Sequence, residues 1–200
     1  MFLIGINYFL GFENFAEKMK TFNPESLSLQ GSLIYFGCML LLVTLLAPFN
    51  AGLLKIMKDA DEGSKPTLNT LFYYVNTSYF LNIIVATVFI GIFNFGFNFS
   101  IQKLLGNESM LGKFLPMFFS VIFSIATLTV LPNLIFKNSS IINAIKESFV
   151  NGLKNFLSIL VLLIIAIAIG YLGIFAFCIG IFFTFPIYYA MQYAIFKSLN

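Results

Sequence analysis

The chain has 200 residues, 60% of them hydrophobic and 10% charged, with a formal net charge of +3. A soluble domain is nearer to about 45–50% apolar and about 25% charged, and a water-soluble fold of this size cannot bury so much apolar surface. The small net charge argues against a nucleic-acid partner. With no His and no Cys pair at metal spacing, a transition-metal site or another cofactor is not expected either.

The positions of the charges say more than their number. Residues 26–54, 66–102, 114–136 and 155–196 contain no Asp, Glu, Lys or Arg. Each run exceeds the roughly 20 residues needed to cross about 30 Å of hydrocarbon. A bilayer explains such runs, because a charge at its centre costs about 3 kcal/mol or more. Strands of a membrane barrel are excluded by stretches such as residues 159–169 (ILVLLIIAIAI), which lack apolar/polar alternation. The expected fold is all-α, a polytopic transmembrane helical bundle of about five spans, with residues 1–200 forming one integral membrane domain.

In chain order, residues 1–25 form an N-terminal interfacial or re-entrant segment, or a sixth span if they insert. The first span covers about 32–55 and carries Pro48 and Asn50. A charged loop follows over 55–65, then semi-polar residues 66–75 and a second span, about 77–101. After a turn over 102–113 comes the third span, about 114–136, with Pro132 and Asn133 near its end. Residues 139–154 predict an amphipathic helix lying along the membrane interface. Ile141, Ile142, Ile145, Phe149 and Leu153 fall on one side, while Asn143, Lys146, Glu147 and Asn151 fall on others. The last apolar run has 42 residues, too long for one straight crossing at about 1.5 Å per residue. A tight turn at Gly170-Tyr171-Leu172-Gly173 would split it into spans at about 155–169 and 173–197, the latter with Pro186 and Gln192. The alternative is one long bent helix packed closely at the glycines. Cys38 and Cys178 sit in apolar segments and act as small hydrophobes.

An internal repeat is also expected. Residues 75–85 (VNTSYFLNIIV) resemble residues 150–161 (VNGLKNFLSILV), and each copy follows a span with a proline near its end, Pro48 or Pro132. Pro186 occupies a similar place in the last span. With the N-terminus outside, inner segments hold Lys55, Lys58, Lys65, Lys137, Lys146, Lys154 and Lys197, against Lys18, Lys20, Lys103 and Lys113 outside. This asymmetry favours an N-out, C-in orientation.

The candidate functional residues are Pro48, Asn50, Pro132, Asn133, Pro186 and Gln192. Each proline removes a helical hydrogen bond and opens a carbonyl to a partner. Such broken helices can line a substrate path, or simply shape the bundle. Amides within spans, including Asn82, Asn94 and Asn98, serve as glue between helices or line a polar site. No carboxylate lies inside a span and no Ser has an evident base, so a proton-coupled transporter or a hydrolase is not expected.

Residues 141–162 (IINAIKESFVNGLKNFLSILVL) and 170–199 (GYLGIFAFCIGIFFTFPIYYAMQYAIFKSL) carry an "AIKxSF" entry helix, a Gly-rich turn and an "iGxxfTxPI" final span. Residues 45–56 (LLAPFNAGLLKI) and 62–72 (EGSKPTLNTLF) give a fainter version. Here the chain resembles a family of uncharacterised bacterial multi-pass membrane proteins that includes the membrane domain of some glycerophosphoryl diester phosphodiesterases. The residues that fit are Pro48, Gly52, Gly63, Phe72, Ser148, Gly180, Thr184 and Pro186. The resemblance implies a small helical bundle in the bacterial inner membrane, without catalytic residues. The expected function is that of a non-enzymatic accessory, scaffold or envelope-maintenance component. Its partners would be membrane lipids and another membrane protein or a second copy. The alternative is a small transporter or channel subunit with a polar path near the Pro-broken helices.

Overall fold

Residues without charge become long helices. The computed structural model describes residues 29–106, 109–175 and 180–199, and among these the chain is helical without strands. The helices are α1 (Leu29–Asp61), α2 (Tyr79–Leu105), α3 (Met110–Thr127), α4 (Val130–Phe136), α5 (Ile141–Lys154), α6 (Phe156–Phe175) and α7 (Gly180–Ser198). A single helical turn, Leu68–Leu71, and a 3-10 turn, Tyr73–Asn76, lie between α1 and α2. The chain divides into two compact units after Met39, and only residues 29–39 of the first unit are described.

Three stretches are long and apolar enough to cross a membrane: Leu29–Asp61, Tyr79–Leu105 and Met110–Phe136, the last made of α3 and α4 together. A fourth exists if α5 and the start of α6, bent by 89°, count as one broken span. The N-terminal segment 1–25 and Cys178 lie outside the described residues.

Several boundaries differ from the sequence expectation. The first helix does not end at Lys55 but continues through the charged stretch to Asp61. The i,i+4 pairs Lys55–Asp59 (3.0 Å) and Lys58–Glu62 (3.7 Å) support the added turns. The third span, expected at about 114–136 with Pro132 breaking or kinking it, is interrupted between Thr127 and Val130. The tight turn expected at Gly170–Gly173 is not where the chain changes helix: α6 runs through both glycines to Phe175, and α7 begins at Gly180. In so apolar a stretch the intrahelical hydrogen bond outweighs the weak helix propensity of two glycines.

The predicted amphipathic helix is α5, and its corner with α6 has a local cause. Asn138 takes the positive φ (56°) that Asn tolerates, releasing the chain from α4. Ser140 then caps α5 by accepting from the Asn143 N–H at 3.4 Å. At the far end Asn155 donates through Nδ2 to the Asn151 carbonyl at 3.0 Å, and the chain turns there into α6.

The core centres on α4, where Val130, Pro132, Asn133, Leu134 and Ile135 are all buried. Ala47, Ala51 and Leu54 of α1, Ile83 and Ala86 of α2, Ala144 of α5 and Tyr189 of α7 share that core. Phe93 stacks on Phe123 and Phe97 on Phe119, so α2 and α3 run antiparallel. Between α1 and α2, Tyr74 is buried edge-on against Tyr73 and Tyr79, and that burial raises its phenol pKa so that it packs as a neutral ring. Outside the core, Leu41, Leu42, Leu45, Phe89, Ile92, Leu157, Ile164 and Ile165 are exposed apolar side chains, the kind of surface a lipid bilayer covers.

Candidate functional site

Three of the residues singled out in the sequence, Pro132, Asn133 and Gln192, gather around the break between α3 and α4. Pro132 has no N–H, so the Leu128 carbonyl four residues earlier lacks its helical donor. Gln192 of α7 supplies one, its Nε2 donating to Leu128 O at 2.7 Å. One turn later Asn133, fully buried, donates through Nδ2 to the Ala144 carbonyl of α5 at 3.4 Å. Its Oδ1 is buried without a hydrogen-bond partner among the described residues.

The break itself is closed from α5. Ser148 Oγ accepts from the Thr129 N–H at 3.1 Å and from Thr129 Oγ1 at 3.0 Å, and donates to the Ala126 carbonyl at 2.7 Å. One hydroxyl thus satisfies two backbone groups freed by the interruption and the Thr129 hydroxyl as well. Ala144, Ser148 and Gly152 recur every four residues and form the buried face of α5. A Cβ on Gly152 would lie 2.7 Å from Ile125 O and 2.9 Å from Ala126 Cα, so only glycine allows the backbones to meet this closely. The aliphatic residues of α5 divide between the core and the surface. Ile141 and Ile145 pack against the core beside these small residues, whereas Ile142 and Leu153 are exposed.

Asn50 and Pro48 lie on α1, where Pro48 is buried. Tyr189 of α7 donates through its hydroxyl to Asn50 Oδ1 at 2.6 Å. Gly52, one helical turn from Pro48, lies against the backbone carbonyl of Leu71. Pro186 lies within α7, one turn before Tyr189 and Tyr188. Of the other amides, Asn98 donates to Asn94 Oδ1 at 2.6 Å and accepts from Ser120 Oγ at 3.3 Å, tying α2 to α3. Asn82 is exposed near the start of α2.

The helices that carry Pro48, Pro132 and Pro186 end together. Lys58 lies over the Phe136 ring (5.1 Å), Phe136 packs edge-on to Tyr193, and Asp61 takes hydrogen bonds from Lys197 Nζ (2.6 Å) and Tyr193 OH (3.2 Å). The C-termini of α1, α4 and α7 therefore share one face, and so do Lys55, Lys58, Lys137 and Lys197. The exposed ion pairs here fix geometry more than stability, since solvent screens them.

All the buried polar groups of this cluster are amides, hydroxyls and backbone carbonyls, none of which ionises near neutral pH. The arrangement can hold helices in register and satisfy a broken helix. Among the described residues, no group of His, Cys, Asp and Glu could hold a metal ion. Sequence reasoning had not assigned site roles to Thr129, Gly152 and Tyr189; the spacing Ala144, Ser148, Gly152 was the available signal for the second of these.

The Tyr189–Asn50 bond gives a first expected result. Tyr189→Phe and Asn50→Leu, combined in a double-mutant cycle of unfolding in mixed micelles, should show a coupling of about 0.6–1.7 kcal/mol. A coupling of zero would mean that the bond does not join α1 to α7 in the folded protein.

Comparison with protein-family models, with curated proteins and with solved structures finds no match to this chain.

Proposed function

We propose that the chain is a non-enzymatic integral membrane protein of the bacterial inner membrane, acting as a scaffold or accessory component in envelope maintenance. The observation that carries this is where the polar side chains of the helices are spent. Asn50, Asn133, Gln192, Thr129 and Ser148 all bond to another helix or to the break between α3 and α4. Amides and hydroxyls used this way join helices to each other. A bundle of about five spans follows if α6 and α7 each cross, with N-out and C-in supported by the lysines at the shared ends of α1, α4 and α7. The likeness to the multi-pass family described above belongs to this proposal. So does the internal repeat, each copy being a proline-bearing span, a short interfacial segment and a second span.

One observation favours a second reading, a small transporter or channel subunit. Asn133 Oδ1 is a buried acceptor without a donor among the described residues, at a broken helix, and such places line substrate paths in transporters. Single cysteines at positions 50 and 133, probed in membranes with a water-soluble thiol reagent, separate the two. A scaffold predicts that neither thiol reacts and that a partner co-purifies from gentle detergent. Labelling of both positions would instead favour the path, and a lone chain with no co-purifying protein would count against the scaffold.

A further inference from the structure

The outer side of α5 combines two chemistries that the bundle does not use. Ile142, Lys146, Val150 and Lys154 follow one another at four-residue spacing and so form one row along the helix. All four are exposed, Ile142 at 78% and Val150 at 57%. Leu153, 51% exposed, extends the apolar flank beside them. The opposite side of the helix is occupied, because Ala144, Ser148 and Gly152 are seated on α3 and α4. The row therefore faces whatever surrounds the protein.

The charges nearby leave this row cationic. Glu147 is held by Lys137 at 3.0 Å, which removes the one acidic group of α5. Lys146 and Lys154 have no ion-pair partner among the described residues. They lie eight residues apart, about 12 Å along the axis. Water alone would not favour aliphatic side chains between them, and an acyl-chain interior would not favour the lysines. A headgroup layer suits both, with the aliphatic groups at the acyl boundary and each ammonium extended to a phosphate.

We propose that the Ile142–Lys146–Val150–Lys154 row of α5 binds anionic phospholipid headgroups, with one phosphate-bearing lipid held at each lysine. This rests on the placement of α5 at the membrane interface. Charge complementarity selects the lipid: a zwitterionic headgroup offers its phosphate only beside its own cation, whereas an anionic glycerophospholipid leaves the negative charge uncompensated. The 89° corner between α5 and α6 supplies the geometry, because it lays the row across the direction of α6 rather than along it.

The test uses the full chain in nanodiscs of phosphatidylcholine, with phosphatidylglycerol added in steps, and reads retained lipid by native mass spectrometry. Lys146→Gln and Lys154→Gln should each weaken phosphatidylglycerol retention about fivefold, and the double variant about twenty-fivefold. Lys103→Gln, on α2, should leave it unchanged. Equal retention by the double variant and the wild type would overturn the proposal, as would equal loss with Lys103→Gln. A polarity-sensitive fluorophore at Leu153→Cys, in pure phosphatidylcholine, isolates the placement on which the proposal rests. An aqueous signal there would show that α5 does not lie at the interface. An apolar signal with charge-independent retention would remove the headgroup site and leave the interfacial helix standing.

Discussion

Gly152→Val is expected to unseat α5. The added Cβ meets Ile125 O at 2.7 Å and Ala126 Cα at 2.9 Å, and both are backbone atoms that no rotamer change can move. Either α5 shifts off the break, taking Ser148 with it, or α3 deforms. Overpacking of this kind typically costs about 1–3 kcal/mol, and loss of the Ser148 bonds adds to it. Gly152→Ala should be milder, because the better helix propensity of Ala returns about 1 kcal/mol. Gly96 in α2 provides the contrast: a Cβ there meets nothing within 4 Å, so Gly96→Ala should leave stability unchanged or raise it by up to about 1 kcal/mol. The measurement is denaturant-driven unfolding in mixed micelles. A Gly152→Val protein as stable as the wild type would mean that the close approach of α5 is absent in the folded molecule.

Ser148→Ala should cost about 1–3 kcal/mol. The fully buried hydroxyl serves the Thr129 N–H, the Thr129 hydroxyl and the Ala126 carbonyl. Alanine keeps the shape but leaves a backbone donor with neither water nor protein to accept from it. Thr129→Val relieves only the hydroxyl, so the double variant should recover less than half of the loss. Hydrogen exchange would locate the effect: the amides of residues 128–132 should lose protection before those of α2. Uniform loss of protection along the chain would instead mean that Ser148 acts through global packing.

Much of the helical layout was legible in the sequence because lipid-crossing segments are written as absences of charge. The runs at 66–102 and 114–136 map onto α2 and onto α3 with α4, and the pattern at 139–154 maps onto α5. The helix ends were less legible. Lys55 marked the end of an apolar run but not of a helix, since Lys55 and Asp59 pair just as well in a helical turn leaving the core. The close seat of α5 at Gly152 was also less legible. Periodicity of Ile and Leu locates an apolar side, but close backbone contact is made by the smallest residues, which carry little hydropathy.

For the site, the prolines were informative because a missing N–H is a covalent fact. Pro132 requires that some donor reach Leu128 O, and an amide such as Gln192 is a natural supplier. That the donor comes from α7, and that Ser148 closes the break from α5, depends on which helices become neighbours. Nothing in one sequence specifies that pairing. Gly52 lies against the Leu71 carbonyl and Ser148 against the break between α3 and α4, contacts that again depend on which segments become neighbours.

The Gln192 bond also has a consequence for the order in which the protein can be completed. Leu128 and Gln192 are 64 residues apart, so during synthesis α3 and α4 leave the ribosome well before the side chain that satisfies their break. Until α7 arrives, that carbonyl needs a temporary partner, whether water or the insertion machinery. The third span is therefore provisional when made and finished only by a later one. A nascent chain halted before α7 should be degraded faster than one halted after it, and a pulse-chase comparison of the two would reveal the difference.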